Sequence, residues 1–285
     1  MRHLLFFATA ALAMSGCTRA PVVNTAEVRA VRGSGELPAL DPQSKLWDGV
    51  PEHPARLMVQ DVTEPRLTQP GVDLVKVRAM HDGTTIVFRL EWADATEDLI
   101  ADVGRGSDAV AIQFPLQPGA DVPDAAMGQL GKGVQICYWK AVWQDDADRA
   151  ASGKDRVAAL HPNAAPDHYP PQAGGEAREE MERRYAQARA AGNPILTARN
   201  GAVQEIVAEG FGSATAVTAQ KATGRGSWST GRWLTTIARP LAEGAGAANL
   251  QPGQKTYAAF AVWDGAERHM GARKMRSGWI PLVLE

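Results

Sequence analysis

Met127, in Pro123-Asp124-Ala125-Ala126-Met127-Gly128, and Lys274, in Arg273-Lys274-Met275, each place a single metal-binding side chain in a loop between strands. A thioether is a soft ligand, and an amine binds a metal once it has given up its proton. Each residue also has a commoner reading: a loop methionine fills a gap under a strand end, and a loop lysine is solvated. The remaining donors do not cluster. His3 lies in the N-terminal leader, and His53, His81, His161, His168 and His269 are scattered, without the close spacing of zinc or copper sites. The chain holds no phosphate-binding Gly-rich loop, Gly-x-Ser-x-Gly elbow, His-Glu-x-x-His pair or Cys-x-x-Cys-His haem attachment. The sequence therefore carries no signature of catalysis.

The elements around these loops read as strands. Residues 72–80 and 84–92 alternate apolar side chains about the turn His81-Asp82-Gly83, which predicts a β-hairpin. Ala109 to Phe114 and Val134 to Trp143 read as further strands, as do 202–207, 214–222, 231–239, 256–263 and 278–284. Residues 145–200 interrupt the pattern with Pro162, Pro166, Pro170 and Pro171 and then a mixed-charge helix from Glu176 to Ala191. The expected architecture is all-β, an antiparallel β-sandwich of roughly ten strands with one long loop and helix insertion. If the hairpin turn is at the top, the chain returns to the top at Met127, so His81 is expected at the same end.

Met1-Arg2-His3, the apolar run Leu4 to Met14 and small residues before Cys17 form an export signal, expected over residues 1–16. Ser15-Gly16-Cys17 matches the bacterial lipoprotein box, with Met14 as a departure from it; Cys17 is then the lipidated first residue of a periplasmic protein. Residues 17–45 read as a tether, with the sandwich occupying 46–285. Apart from Cys17 the sole cysteine is Cys137, so core packing rather than a disulfide must hold the fold. A net charge of −2 without a basic patch argues against nucleic acid as a partner.

Seven segments, in order, carry a resemblance: Val77 to Gly83, Phe88 to Trp92, Ser107 to Pro115, Met127-Gly128, Tyr138 to Ala141, Gly210-Phe211-Gly212 and Phe260 to Gly265. On these the chain resembles the haem-binding gamma subunits of ethylbenzene dehydrogenase and its relatives dimethylsulfide dehydrogenase, selenate reductase and chlorate reductase. The resemblance implies a sandwich like the cytochrome domain of cellobiose dehydrogenase, holding a non-covalent haem b at one end between a Met and a Lys. It carries the methionine to Met127 and the lysine to Lys274, with Lys140 as the alternative and His269 and Lys255 behind them. By the same resemblance His81 lines the pocket or meets a propionate, against the simpler reading of an exposed turn residue. Trp139, in the shared Tyr-Trp-Lys-Ala segment, is expected to contact the porphyrin.

The implied partners are a molybdopterin catalytic subunit, an iron–sulfur subunit, and a periplasmic cytochrome c or quinol pathway. Cys137-Tyr138 depart from the Trp and His that relatives carry before the shared Trp-Lys, and the lipoprotein box is not general among them. Two other functions compete: a carbohydrate- or ligand-binding module, using a loop at Arg225 to Trp233 with two aromatics, and a structural lipoprotein anchor.

Overall fold

The computed structural model of the chain describes residues 26–152, except 63, 65, 101–103, 118 and 120, together with 180, 184 and 201–285. The expected hairpin is formed by β4 (Leu74–His81) and β5 (Thr85–Ala93), paired from Lys76 opposite Glu91 to His81 opposite Ile86. Its turn is closed by Asp82, whose Oδ1 accepts the N–H groups of Thr84 and Thr85 and the Thr84 hydroxyl. Gly83 takes φ 97°, a conformation that a side chain would strain.

On one side of β5 lie β11 (Arg232–Pro240) and then β10 (Thr223–Ser229); on the far side of β4 lie β2 (His53–Arg56) and β1 (Val28–Arg32), followed by β14 (Ile280–Leu284). The second layer is β6 (Ala109–Pro115), β7 (Val134–Lys140), β8 (Val203–Ala208) and the short β9 (Thr215–Ala216). One long strand, β12 (Lys255–Trp263), belongs to both layers: Lys255 to Ala258 pair with β14, and Ala259 to Trp263 pair with β6. Along its lower half β12 also pairs with β13 (Met275–Arg276), which pairs in turn with β3 (Met58–Val59).

Aromatic rings lock the layers together. Phe88 of β5 meets Phe114 of β6 at 5.7 Å, and Trp139 of β7 meets Trp233 of β11 edge-on at 5.1 Å, with Trp92 stacked on Trp233 at 6.1 Å. Two of these indoles keep their N–H groups satisfied: Trp233 donates to Asp108 Oδ2 at 2.9 Å and Trp139 to Gln144 Oε1 at 3.2 Å. Burial of each such ring stabilises the fold by on the order of 3 kcal/mol.

Four expectations change. First, the tether expected over 17–45 contains β1, in which Val28 and Ala30 are buried between β4 and β14. The sandwich therefore begins ahead of residue 46, and since β1 runs parallel to both neighbours the sheet is mixed there. Second, the strand expected through Trp143 ends at Lys140, where α1 (Ala141–Ala151) begins. The 107–108 loop accepts its first N–H groups, Ala141 to the Asp108 carbonyl and Val142 to Ser107 Oγ, which satisfies donors that a helix start leaves bare.

Third, the aromatic loop expected at Arg225 to Trp233 is the β10–β11 hairpin, with Trp228 opposite Trp233. Trp233 is buried and the Trp228 indole donates to the Asp94 carbonyl, so this pair offers no open platform for a sugar. Fourth, the strand expected over 214–222 is confined to Thr215–Ala216. The leader, Cys17 and most of the 145–200 insertion lie outside the described residues; within the insertion Glu180 and Arg184 are helical and ion-paired at 3.7 Å.

The ring packing leaves no space at Gly226, where an added Cβ would stand 2.3 Å from Trp139 and 3.0 Å from Trp233. Gly226→Ala should lower unfolding stability by about 2–3 kcal/mol. Gly201→Ala, in open space, should change it by less than about 0.5 kcal/mol. Urea titration of both variants checks the pair, and equal midpoints would disprove the packing argument.

Candidate functional site

Pleating sends alternate residues of a strand to opposite faces, and in the second layer this separates two environments. Ile112, Phe114, Cys137, Trp139, Phe260 and Val262 point into the sandwich. Their neighbours Ala109, Ala111, Val134, Ile136, Ala208, Ala261 and Trp263 form a separate apolar cluster on the outer face, with Met127, Tyr138, Ile206 and Trp279 packed against it. Four alanines of this face are buried, none more than 9% exposed, and the rings of Tyr138, Trp263 and Trp279 pack among them.

Met127 reaches this cluster from the loop between β6 and β7. Hydrogen bonds that fix that loop include Gly128 N–H to the Asp124 carbonyl at 2.8 Å, Gly210 N–H to the Met127 carbonyl at 2.9 Å, Gln113 Nε2 to the Ala125 carbonyl at 3.0 Å, and the Trp279 indole to the Pro123 carbonyl at 2.6 Å. Met127 itself sits at φ 78°, in the left-handed region, which costs a non-glycine residue about 1–3 kcal/mol and persists only where surrounding structure enforces it. Gly128 follows at φ 78°; a Cβ there would stand 2.9 Å from the Lys132 carbonyl and 3.1 Å from the Ala208 carbonyl. The Met-Gly pair is thus a required backbone kink that turns the thioether toward the sheet.

Lys274 reaches the same face from the other side, next to β13 and opposite Trp263. Its side chain is buried, with Nζ 4.9 Å from the Trp263 ring centre. It forms no ion pair among the described residues. Burial, with a smaller push from Arg276, lowers its pKa to about 8, so the neutral amine lies within reach near physiological pH. Trp263 is held in place in turn, its indole donating to the Gly271 carbonyl at 3.0 Å.

The alternative lysine, Lys140, also projects onto the outer face, 5.0 Å from the Tyr138 ring and 4.8 Å from the Trp143 ring. Tyr138 joins the two lysines' surroundings, since it packs on Trp263 at 4.6 Å and on Trp143 at 5.3 Å. Burial pushes the Tyr138 hydroxyl pKa well above its ordinary value. The residues that the sequence singled out as ligands, Met127, Lys274 and Lys140, therefore share one face with an aromatic wall between the lysines.

The other expected residues lie elsewhere. Trp139 projects from the opposite side of β7 into the core. His81 is buried on β4, where its Nε2 is 2.6 Å from the carbonyl of Glu285, and it is not an exposed turn residue. His269 is buried; its Nδ1 accepts the Asp264 N–H at 3.2 Å, and it braces the loop after β12. Lys255 is exposed at the start of β12 and pairs with Glu27 at 3.4 Å. Reasoning on the sequence did not single out Tyr138 or the four buried alanines of the outer face, although the shared Tyr138 to Ala141 and Phe260 to Gly265 segments contain part of both.

The sequence profile of the ethylbenzene dehydrogenase family matches residues 44–275. A protein of Haloferax mediterranei assigned as a respiratory nitrate reductase heme subunit is 20% identical over 240 residues, covering 84% of this chain and 66% of the relative. The match thus spans just under two thirds of that relative's length. Among solved structures, a carbohydrate-binding protein from Bacteroides uniformis aligns with a TM-score of 0.45 and 8% identity, over 90% of this chain and 98% of its own. A family 9 carbohydrate-binding module from Caldicellulosiruptor kristjanssonii, in complex with glucose, aligns at 0.39 and 6%, over 90% and 95%.

The buried amine makes stability depend on pH. In the unfolded chain Lys274 titrates near 10.5 and in the folded, ligand-free chain near 8. Below pH 8 both states hold the proton and folding bears the full cost of burying the charge. Between about 8 and 10.5 the folded state releases the proton first, and stability rises by up to about 3 kcal/mol. Subtracting the profile of Lys274→Met isolates this rise in chemical denaturation from pH 7 to 10.5, and a flat difference would rule out the burial.

Proposed function

The chain belongs to the ethylbenzene dehydrogenase family, and from that premise we propose that it is a haem-carrying electron-transfer subunit of a molybdenum oxidoreductase. The observation that carries the reading is the placement of Met127 and Lys274 against one apolar cluster on the outer face, Met127 packed on it and Lys274 over its Trp263 ring. The haem subunit name of the Haloferax mediterranei relative points the same way.

The residues present fit the group. A porphyrin needs an apolar bed, which Ala111, Ala261 and Ile136 offer, and large apolar walls, which Tyr138, Trp263 and Trp279 offer. Lys274 requires little energy to lose its proton, because burial has already disfavoured its charge. Met127 is held by its loop in a conformation that a free chain would leave. Bound there, the haem supplies a one-electron couple whose potential a thioether ligand raises.

The attachment is proposed to be non-covalent, making the group haem b. Cys17 precedes the sandwich, and Cys137 faces the core with its thiol pKa pushed up to about 12 by burial, on the opposite side of β7 from Tyr138. In this reading Lys274 is the second ligand and Lys140 its alternative. The partners would be a molybdopterin catalytic subunit with an iron–sulfur subunit on one side and a cytochrome c or quinol pathway on the other. The leader and Cys17 support a periplasmic location with a lipid tether.

Expression with ample haem, followed by spectra of the oxidised and dithionite-reduced protein, tests the proposal. The expected result is a sharp reduced α-band from extractable haem. Met127→Ala and Lys274→Leu should each remove the low-spin spectrum, with Lys140→Leu leaving it intact. A folded but colourless chain would refute haem binding, and a change in Lys140→Leu alone would transfer the second ligand to Lys140.

A further inference from the structure

At the end of the sandwich where β5 stops and β6 starts, three aspartates from distant parts of the sequence meet. Asp94 follows β5, Asp108 precedes β6, and Asp264 follows β12; one carboxylate oxygen from each lies within 4.8 Å of the others. Asp108 is fully buried and Asp94 is 4% exposed. We infer that Asp94, Asp108 and Asp264 form a binding site for a divalent cation of the size of calcium, joining the ends of three strands.

The hydrogen bonds fix these carboxylates without neutralising them. Asp108 accepts the Asp98 N–H at 2.7 Å and the Trp233 indole on one oxygen, and the Gly265 N–H at 2.8 Å on the other. Asp264 accepts the Glu267 N–H at 3.2 Å. Asp94 uses Oδ1 to accept the Thr96 N–H at 3.2 Å; the Trp92 indole N–H is a neighbouring donor to its carboxylate, but no hydrogen bond of normal geometry reaches Oδ2, which is buried. A carboxylate oxygen in that state is costly unless a proton or a cation meets it. The neighbouring bases are already engaged: Lys76 and Arg232 line the adjoining cleft and both pair with Glu91.

The electrostatics agree with this geometry. Burial first, and then the charges of Asp108 and Asp264, push the Asp94 pKa up to about 7. Burial likewise raises Asp108 to about 6, against the pull of its hydrogen bonds. Around one calcium ion, with oxygens at about 2.3–2.6 Å, two ligands can stand up to about 5 Å apart, whereas magnesium at about 2.0–2.1 Å limits them to about 4.2 Å. Oxygens gathered within 4.8 Å can therefore meet one calcium ion without a movement of the chain. A cleft of 760 Å³, lined by Asp94 and Asp264 among others, gives an ion and its remaining waters a way in.

The site is independent of the haem, so the haem-free chain is its test. After treatment with a chelator, calcium titration by calorimetry should show one site, and calcium a hundredfold above its dissociation constant should raise Tm by about 5 °C. Terbium, a luminescent stand-in for calcium, should show tryptophan-sensitised emission through Trp233 that calcium displaces. Asp94→Asn, chosen because Asp108 also anchors three donors, should fold and lose the calcium-dependent rise and the terbium signal together. Identical melts with and without calcium, with no heat and no sensitised emission, would overturn the inference and leave a shared proton as what neutralises the cluster. Retention of both signals in Asp94→Asn would overturn it equally.

Discussion

The pleat of β6, β7 and β12 governs where every other feature can be. Because successive side chains must point to opposite faces, the same strands that give Phe114, Trp139 and Phe260 to the sealed interior give Ala111, Tyr138 and Ala261 to the outside. Rings on the inner side hold the layers at a fixed separation and so keep the strands in register. The outer side can then carry small alanines without destabilising the sandwich, since the core is supplied from the other face. A shift of one residue in β7 would exchange Trp139 for Tyr138 and destroy both faces at once.

This explains what the sequence made legible. The β4–β5 hairpin could be read directly, because Asp82-Gly83 supplies both the side-chain acceptor and the positive φ that its turn uses. The strand β10 could not, because Thr223 to Ser229 looks like a loop in its glycines and serines. Its Gly224 and Gly226 are small for reasons outside the strand: the Thr236 carbonyl stands 2.3 Å from a Cβ at one, and the Trp139 ring 2.3 Å from a Cβ at the other. In the same way α1 starts at Ala141 because the 107–108 loop receives its N–H groups, which no property of Ala141-Val142-Trp143 announces.

Legibility of the site follows the same division. Met127 and Lys274 have no spacing motif, since each comes alone from its own loop, and it was the family resemblance that selected them. Alternation could have excluded Trp139, because a residue adjacent to the outward Tyr138 and Lys140 must point inward. The aspartate cluster was beyond reach: residues 94, 108 and 264 become neighbours through pairing of β5 with β11 and of β6 with β12, and through the bond from Trp233 to Asp108.

The loop from Asp264 to Lys274 joins two groups with opposite unmet needs. At its start a carboxylate sits beside two others with too little positive charge around them; at its end a lysine is buried with an aromatic ring for company. His269 and the Trp263 indole, bonded to Asp264 and Gly271, keep the loop from relieving either strain by turning outward. A group buried in a disfavoured charge state raises the free energy of the empty chain, and a ligand that satisfies it recovers that energy as affinity. A chain built this way is less stable empty than its core packing would allow, and the instability is concentrated at Asp94, Met127 and Lys274, the residues proposed to hold ligands. The strained φ of Met127 extends the same logic to the opposite loop: both approaches to the outer face are held by the fold in states that an occupant would make more favourable.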